Sequence, residues 1–373
     1  MTHIVSLLIS LVAMISILEP TVVAQEREET LSIEQLQKNA DSGDTDAMVI
    51  LAEYYRDADE PDFDRAISFF RKAVDLGDLS AMAGMGWMYF HGMGVEKDVA
   101  KALKWYQIAA EAGGHEGMNN LGYLYLHGVG VEQDVQEAIR WFRKSSAAGN
   151  PYAYDNLGVL YLEGNGLNQD VEAAKEMFRA AVNLGLTDSM IRMGQVERAQ
   201  DSPESRKAAF DWFSKAEDNM QGMKEIGNCY FDGIGVEPSV EKGLSWYRRA
   251  IDAGHPFAAV ELAGRLLTGR GISIDREKAM TILEIAVSNG NAAAATQLGH
   301  IAGESKDYKK AQEYYRIAAE RGDSTAMLCI GIQYENGWGV PVDHEQGMVW
   351  LKKAADHGNE MAIQILDKIE EGQ

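Results

Sequence analysis

Apolar and polar positions along most of this chain follow a spacing of three and four residues, which is typical of amphipathic α-helices. Residues 81–90 and 99–112 both have this pattern, and a loop that contains two glycines separates them. The stretch YFHGMGVEKD at residues 89–98 returns as YLHGVGVEQD at residues 125–134. We therefore interpret the chain as a series of similar helical pairs.

Three kinds of residue recur at fixed places in these pairs. A glycine that suits the left-handed end of a helix closes eight of the pairs; these residues are Gly77, Gly113, Gly149, Gly185, Gly254, Gly290, Gly322 and Gly358. A second glycine lies inside the first helix, where we expect two helices to touch: Gly86, Gly122, Gly158, Gly194, Gly299 and Gly331. A bulky residue in the second helix is expected to pack one pair against the next: Phe69, Trp105, Trp141, Met177, Trp212, Trp246, Ile282, Tyr314 and Trp350.

Stacked helical pairs bury apolar faces that a single pair would leave exposed. The pattern therefore predicts an all-α fold, a right-handed superhelical solenoid of about nine helix-turn-helix repeats over residues 44–358. Terminal capping helices are expected within residues 25–43 and 359–373. The loops of the fifth and eighth repeats lack the GxGV pattern, so we expect local irregularity near residues 197–206 and 300–307.

The amino terminus differs from the rest of the chain. Residues 4–18 form an apolar run, which is shorter than the roughly 20 residues of a transmembrane helix. Val22 and Ala24 suit a signal peptidase site, so residues 1–24 are interpreted as a cleavable secretory signal with the mature chain beginning at Gln25. This predicts a secreted or periplasmic protein with no stable membrane insertion after cleavage. A membrane anchor formed by an uncleaved signal is the alternative, because no Lys or Arg precedes the run.

Composition narrows the class of partner. Hydrophobic residues make up 46% of the chain, which favours a folded protein, and the formal net charge is -22. An acidic balance of this size argues against a nucleic-acid partner, because phosphate backbones attract Lys and Arg. Two cysteines, Cys229 and Cys329, do not make a disulfide scaffold, and we interpret both as buried thiols.

The repeated pattern ALxxLGxxYxxGxGVxxDxxKAxxWYxKAAxxG resembles the Sel-one-like repeat, a relative of the tetratricopeptide repeat. The segments that carry it best are 81–113, 117–149, 153–185, 223–254 and 326–358. The resemblance implies an adaptor that assembles protein complexes. For exported bacterial members it implies envelope signalling, host interaction or the assembly of surface machines. Cysteine-rich members that bind or hydrolyse β-lactams have paired cysteines, which are absent here.

The repeated His-Gly-x-Gly stretches that begin at His91 and His127 invite a metal-site interpretation. Other repeats place different residues there, namely Glu163, Asp232, Thr268 and Asn336, so a turn that needs glycine torsions is the preferred interpretation. We expect no metal, no cofactor and no enzyme activity. An envelope hydrolase related to cell wall or β-lactams, or a ligand-binding receptor, is the alternative function.

Binding of a protein or peptide partner is the preferred function. In tetratricopeptide-like arrays the first helices line the concave side, and positions three before, one after and four after the interior glycine should point there. The predicted binding residues are Trp87, Phe90, Asn119, Tyr123, Asp155, Asn228 and Phe231. The alternative is that Trp87 and Phe90 pack between neighbouring helices. The sequence does not predict the oligomeric state.

Overall fold

The computed structural model describes residues 31–58 and 60–370, and these residues form twenty α-helices and no β-strand. The helices are α1 Ile33–Asp41, α2 Thr45–Asp57, α3 Phe63–Asp75, α4 Leu79–His91, α5 Val99–Glu111, α6 His115–His127, α7 Val135–Ala147, α8 Pro151–Glu163, α9 Val171–Asn183, α10 Thr187–Gln200, α11 Pro203–Lys215, α12 Met220–Asp232, α13 Val240–Asp252, α14 Ala258–Thr268, α15 Arg276–Ser288, α16 Ala292–Glu304, α17 Tyr308–Glu320, α18 Ser324–Asn336, α19 His344–Asp356 and α20 Glu360–Glu370. The predicted signal segment and its cleavage site between Ala24 and Gln25 lie outside the described residues.

The chain divides into two compact units, of which the first ends at Asp201 and the second begins at Ser202. The first unit contains α1 to α10 and the second contains α11 to α20. In each pair that lies entirely within one unit, the first helix packs along the second helix. The terminal helices α1 and α20 bury Leu36 and Ala362, respectively, against the neighbouring pairs. The predicted all-α solenoid class with terminal helices is confirmed.

Short polar side chains determine where the second helices begin. The Asp98 carboxylate accepts the backbone N–H of Lys101 at 2.9 Å, which satisfies a donor that the start of α5 would leave unpaired. The backbone N–H of Asp98 also donates to the carbonyl of Tyr89 at 2.9 Å and closes the loop after α4. Six other aspartates make the same cap in their repeats: Asp62, Asp134, Asp170, Asp275, Asp307 and Asp343.

The His-Gly-x-Gly stretches are turns. Gly92 and Gly94 have φ angles of 73° and 66°, in the left-handed region that disfavours other residues. The two loops predicted to be irregular have a different backbone conformation, because each places a residue other than glycine in the left-handed region of φ. Asp201 follows α10 with a φ of 58°, and Lys306 follows α16 with a φ of 61°. The predicted irregularity is confirmed at both places.

The interior glycines mark contacts between the two helices of a pair, as predicted. A Cβ atom on Gly122 would lie 2.8 Å from the Phe142 ring, so no side chain fits there. Trp141 is only partly buried and packs against a cluster from the preceding helices α5 and α6. The sequence reasoning missed the residue that follows the bulky landmark, which is buried in every pair. These residues are Phe70, Tyr106, Phe142, Phe178, Phe213, Tyr247, Leu283, Tyr315 and Leu351.

None of the described helices combines the length and the apolar character that a membrane span requires. Cys229 is fully buried and Cys329 is partly buried, and neither forms a disulfide within the part of the chain that the structure describes. The prediction of a buried thiol is therefore confirmed for Cys229, whereas Cys329 keeps some exposed surface.

Candidate functional site

In the first unit, the first helices of successive repeats contact one another through their side chains. We call α2, α4, α6, α8 and α10 the first-helix layer. The Arg56 guanidinium lies 4.7 Å from the centre of the Trp87 ring and links α2 to α4. The Ser80 hydroxyl donates a hydrogen bond to Glu116 Oε1 at 3.2 Å and links α4 to α6.

Polar pairs continue these links through the later repeats of the unit. Asn156 Nδ2 donates to Asn119 Oδ1 at 3.0 Å and links α6 to α8. Asp155 lies 2.9 Å from Arg192 Nε and accepts a hydrogen bond from Ser189 at 2.7 Å, which links α8 to α10. The first-helix layer is therefore continuous across the first unit.

A row of aromatic side chains runs across this layer. Trp87 and Tyr123 occupy the same position in successive repeats, and both are partly exposed. Each contacts the histidine four residues later, His91 or His127, with ring centres 4.3 Å apart. Burial lowers the pKa of both histidines, so both rings are neutral at pH 7. These two histidines therefore add aromatic surface to the row and no positive charge.

Carboxylates lie at the beginning of this row. The Glu53 side chain is 28% exposed, and burial raises its pKa to about 7. The charge of Arg56 opposes this shift, whereas the charges of Asp57 and Glu116 add to it. Arg56 is itself buried and makes two hydrogen bonds to the Asp57 carboxylate, at 2.7 and 2.9 Å. Its positive charge is therefore already balanced within α2.

A further carboxylate lies at the other end of the row. Glu163 is the last residue of α8 and is partly exposed. Burial raises its pKa, although the nearby Arg192 opposes the shift. Arg192 is buried at 3% exposure and is paired with Asp155, so it does not neutralise Glu163 fully.

The predicted binding residues fall into two groups. Trp87, Phe90 and Tyr123 are partly exposed on the first-helix layer, and their binding role stays a prediction. The other four are buried, with exposures of 4–6%, and leave little surface for a partner; they are Asn119, Asp155, Asn228 and Phe231. The spacing rule takes no account of the side chains that the next repeat places over these four residues, and their binding role also stays a prediction.

Asn228 and Phe231 show the physical reason in the second unit. Asn228 Oδ1 accepts hydrogen bonds from Tyr247 Oη at 2.5 Å and from Arg265 Nη2 at 2.7 Å. Arg265 also makes a two-point pair with Asp232, at 2.8 and 2.9 Å, and lies 5.1 Å from the centre of the Phe231 ring. Both predicted residues therefore belong to an internal network that joins α12 to α14.

Sequence reasoning also missed Glu53 and Arg56, which belong to the beginning of the row. The first repeat lacks the glycine-rich loop, so its sequence aligns less clearly with the later repeats. The available signal was its interior Ala52, because Glu53 follows it as Trp87 follows Gly86. Among the described residues, no group of three His, Cys, Asp or Glu side chains is arranged to hold a metal ion.

A family profile described as the Sel1 repeat matches this chain in nine consecutive segments. The matched residues are 45–78, 79–114, 115–150, 151–186, 187–219, 221–255, 256–291, 292–323 and 324–359. The number of repeats agrees with the prediction.

Among curated proteins, the chain is similar to the DAP3-binding cell death enhancer 1 of Rattus norvegicus. The two are 32% identical over 165 residues, which is 43% of this chain and 32% of the relative. The Mus musculus protein of the same name matches with the same identity and the same coverage. The chain thus spans about a third of the length of these relatives.

Two solved structures are similar over most of the chain. The antigen c5321 of uropathogenic Escherichia coli strains is 27% identical, covers 92% of this chain and 83% of its own, and has a TM-score of 0.37. A Sel1 repeat protein from Oxalobacter formigenes is 26% identical, covers 96% of this chain and 99% of its own, and has a TM-score of 0.39.

Proposed function

The chain belongs to the Sel1 repeat family, and from this premise we propose that it is an exported scaffold for protein–protein interaction. Its first-helix layer binds an extended segment of a partner protein. Sel1 repeat proteins generally mediate protein–protein interactions. The proposed location in a bacterial envelope or outside the cell rests on the signal-like segment at residues 1–24.

The observation that carries this proposal is the continuous layer with partly exposed aromatic side chains at Trp87, Phe90 and Tyr123. Aromatic residues are enriched among the side chains that dominate binding energy at protein interfaces. The side-chain links between successive first helices hold this surface in place before binding. A preformed surface lowers the ordering cost of association, and only the partner segment must lose conformational freedom.

The relatives support a binding role for this chain and do not identify its partner. The similar rat protein is named for binding DAP3, which is a protein partner, but this chain covers only 32% of that relative. An interaction scaffold needs no catalytic group. We therefore propose the binding role in preference to the envelope hydrolase.

Cross-linking and mass spectrometry on the native envelope test the proposal. We expect cross-links from one defined protein to residues of the first-helix layer. Trp87→Ala should reduce them at least about five-fold, because loss of an interface aromatic costs about 1–2 kcal/mol or more. Trp246→Ala is the matched control, since Trp246 is a partly exposed tryptophan on the second helix α13.

Tyr123→Ala is a second variant in the same layer, and thermal unfolding of each variant shows whether it remains folded. Equal loss of cross-links in Trp87→Ala and Trp246→Ala would contradict the proposed surface. Substrate turnover by the purified chain that survives both layer substitutions would favour the hydrolase instead.

A further inference from the structure

The charges around the aromatic row specify the chemistry of the partner. The guanidiniums of Arg56 and Arg192 are buried, and their charges are taken up by Asp57 and Asp155. Both guanidiniums are therefore paired and offer no free cation to a ligand. Three other carboxylates of the layer are less closely paired, and they belong to Glu53, Glu116 and Glu163.

These three carboxylates are partly exposed and frame the aromatic side chains. Glu53 lies on α2 and contacts Arg56 only at 3.8 Å, whereas Asp57 takes the close hydrogen bonds of that guanidinium. Glu116 lies on α6, where it accepts the hydrogen bond from Ser80 and lies 3.2 Å from His115 Nδ1. Glu163 ends α8 at the far side of the row.

We propose that the first-helix layer binds a basic, extended segment of a partner protein. Lys or Arg side chains of that segment lie against Glu53, Glu116 and Glu163, and its apolar side chains lie on Trp87 and Tyr123. This inference rests on the proposed function and specifies, in addition, that the bound segment of the partner is positively charged. The net charge of -22 attracts such a segment from a distance as well.

The burial of the carboxylates supports this choice of partner. Burial makes the ionised forms of Glu53 and Glu163 less favourable in the free protein, which their raised pKa values reflect, and the charges of Asp57 and Glu116 add to this effect at Glu53 only. A cationic side chain placed beside them stabilises the ionised form. An acidic segment would instead add like charges to a surface whose carboxylates already repel one another.

The size of the layer sets the length of the segment. Neighbouring packed helices lie about 8–10 Å apart, so the three steps from Glu53 on α2 to Glu163 on α8 cover roughly 24–30 Å. An extended chain rises about 3.3 Å per residue, which corresponds to about 7–9 residues. Cationic residues at the two ends of the segment would then lie against Glu53 and Glu163, and one near its middle would lie against Glu116.

Selection of random twelve-residue peptides displayed on phage against the full chain tests the inference. We expect enrichment of sequences that combine Lys or Arg with apolar or aromatic residues. The best peptide is then synthesised with a fluorescent label, and its affinity is measured at low and high salt. Binding should weaken at least about ten-fold between 50 and 500 mM salt, because screened charges attract less.

Two substitutions in the fourth repeat change the net charge of the protein by the same amount. Comparing them separates the effect of a charge on the binding surface from the effect of the overall net charge on peptide affinity. Glu163→Lys places a cation on the layer, whereas Glu176→Lys does so at an exposed site on the second helix α9. Peptide affinity should fall at least about ten-fold in the first variant and less than two-fold in the second. Far-UV circular dichroism checks that both variants keep their helices.

The possible failures are distinguishable. Selected peptides that are acidic or uncharged but lose affinity in Tyr123→Ala would overturn the basic partner and leave the proposed binding surface standing. Equal effects of Glu163→Lys and Glu176→Lys would also overturn the basic partner. If no selected peptide depends on Trp87 or Tyr123, both the partner chemistry and the proposed function of this layer are wrong.

Discussion

The same repeat position has different roles in the two units. In the first unit, Trp87 and Tyr123 follow the interior glycine directly and lie partly exposed on the first-helix layer. In the second unit, Asn228 holds this position, is 6% exposed, and accepts hydrogen bonds from Tyr247 and Arg265. One position therefore presents an aromatic surface in one unit and an internal polar link in the other.

The difference arises from a residue that lies one repeat further along the chain. Arg265 occupies the place that Leu160 holds in the fourth repeat, and a long charged side chain there reaches back to Asn228 and Asp232. Leu160 is also buried, but it only contributes to the apolar core. The repeat thus determines the backbone position of a residue. The side chains of the neighbouring repeat determine whether that residue stays exposed to solvent.

The largest expected effect comes from removing the carboxylate that balances Arg265. Asp232→Ala leaves a guanidinium that is 4% exposed without its two-point partner, so we expect the free energy of unfolding to fall by about 3–5 kcal/mol. The measurement is urea unfolding followed by circular dichroism. The double variant with Arg265→Leu should recover most of the loss, because leucine suits this position in the fourth repeat. A loss below about 1 kcal/mol would show that the network is not a structural link.

The helical pairs, the caps and the turns follow from local rules, which is why the sequence predicts them correctly. Gly92 and Asp98 act within a few residues of their own position in the chain. Accessibility depends on partners about 37 residues away, such as Asn156 for Asn119 and Arg192 for Asp155. The periodic pattern places these polar residues on the first helices but does not reveal that they pair.

The sequence predicts only part of the candidate site, because local patterns reveal some of its residues and contacts between repeats determine the others. Trp87 and Tyr123 could be found because aromatic side chains recur at one repeat position. Glu53 and Arg56 could be found only by aligning the first repeat, which lacks the loop glycines, with the later ones. Their cation–π contact with Trp87 depends on packing between α2 and α4, which no periodic pattern encodes.

An intermediate effect should come from filling the space at an interior glycine. Gly122→Ala would place a Cβ atom 2.8 Å from the Phe142 ring, so we expect the free energy of unfolding to fall by about 1–3 kcal/mol. Gly264 on α14 is the matched control, because no atom lies within 4 Å of a Cβ placed there. Gly264→Ala should raise stability by about 0.5–1 kcal/mol through helix propensity. Urea midpoints of both variants check the signs, and two losses of equal size would refute the close contact at Gly122.

The smallest expected effect concerns the pH dependence that Glu53 gives to the first unit. Its pKa is about 7 in the folded protein against 4.5 for an unperturbed glutamate, so the folded state holds a proton that the unfolded state has lost. The associated stability is complete below about pH 4.5 and is lost as the pH rises through about 7. Glu53→Gln keeps a neutral side chain at every pH and should remove this loss.

The variant should therefore match the natural protein in stability near pH 4.5 and exceed it at pH 8. A shift of one pKa unit corresponds to about 1.4 kcal/mol, and partial exposure of Glu53 reduces the full value, so we expect about 1–2 kcal/mol. Urea unfolding at several pH values measures the difference, in which the contributions of His91 and His127 cancel because both proteins contain them. Glu176→Gln, at the exposed site on α9, should leave the pH profile unchanged. A Glu53→Gln profile parallel to that of the natural protein would mean that Glu53 is solvated and that the carboxylates of the first-helix layer are not held in an unfavourable state.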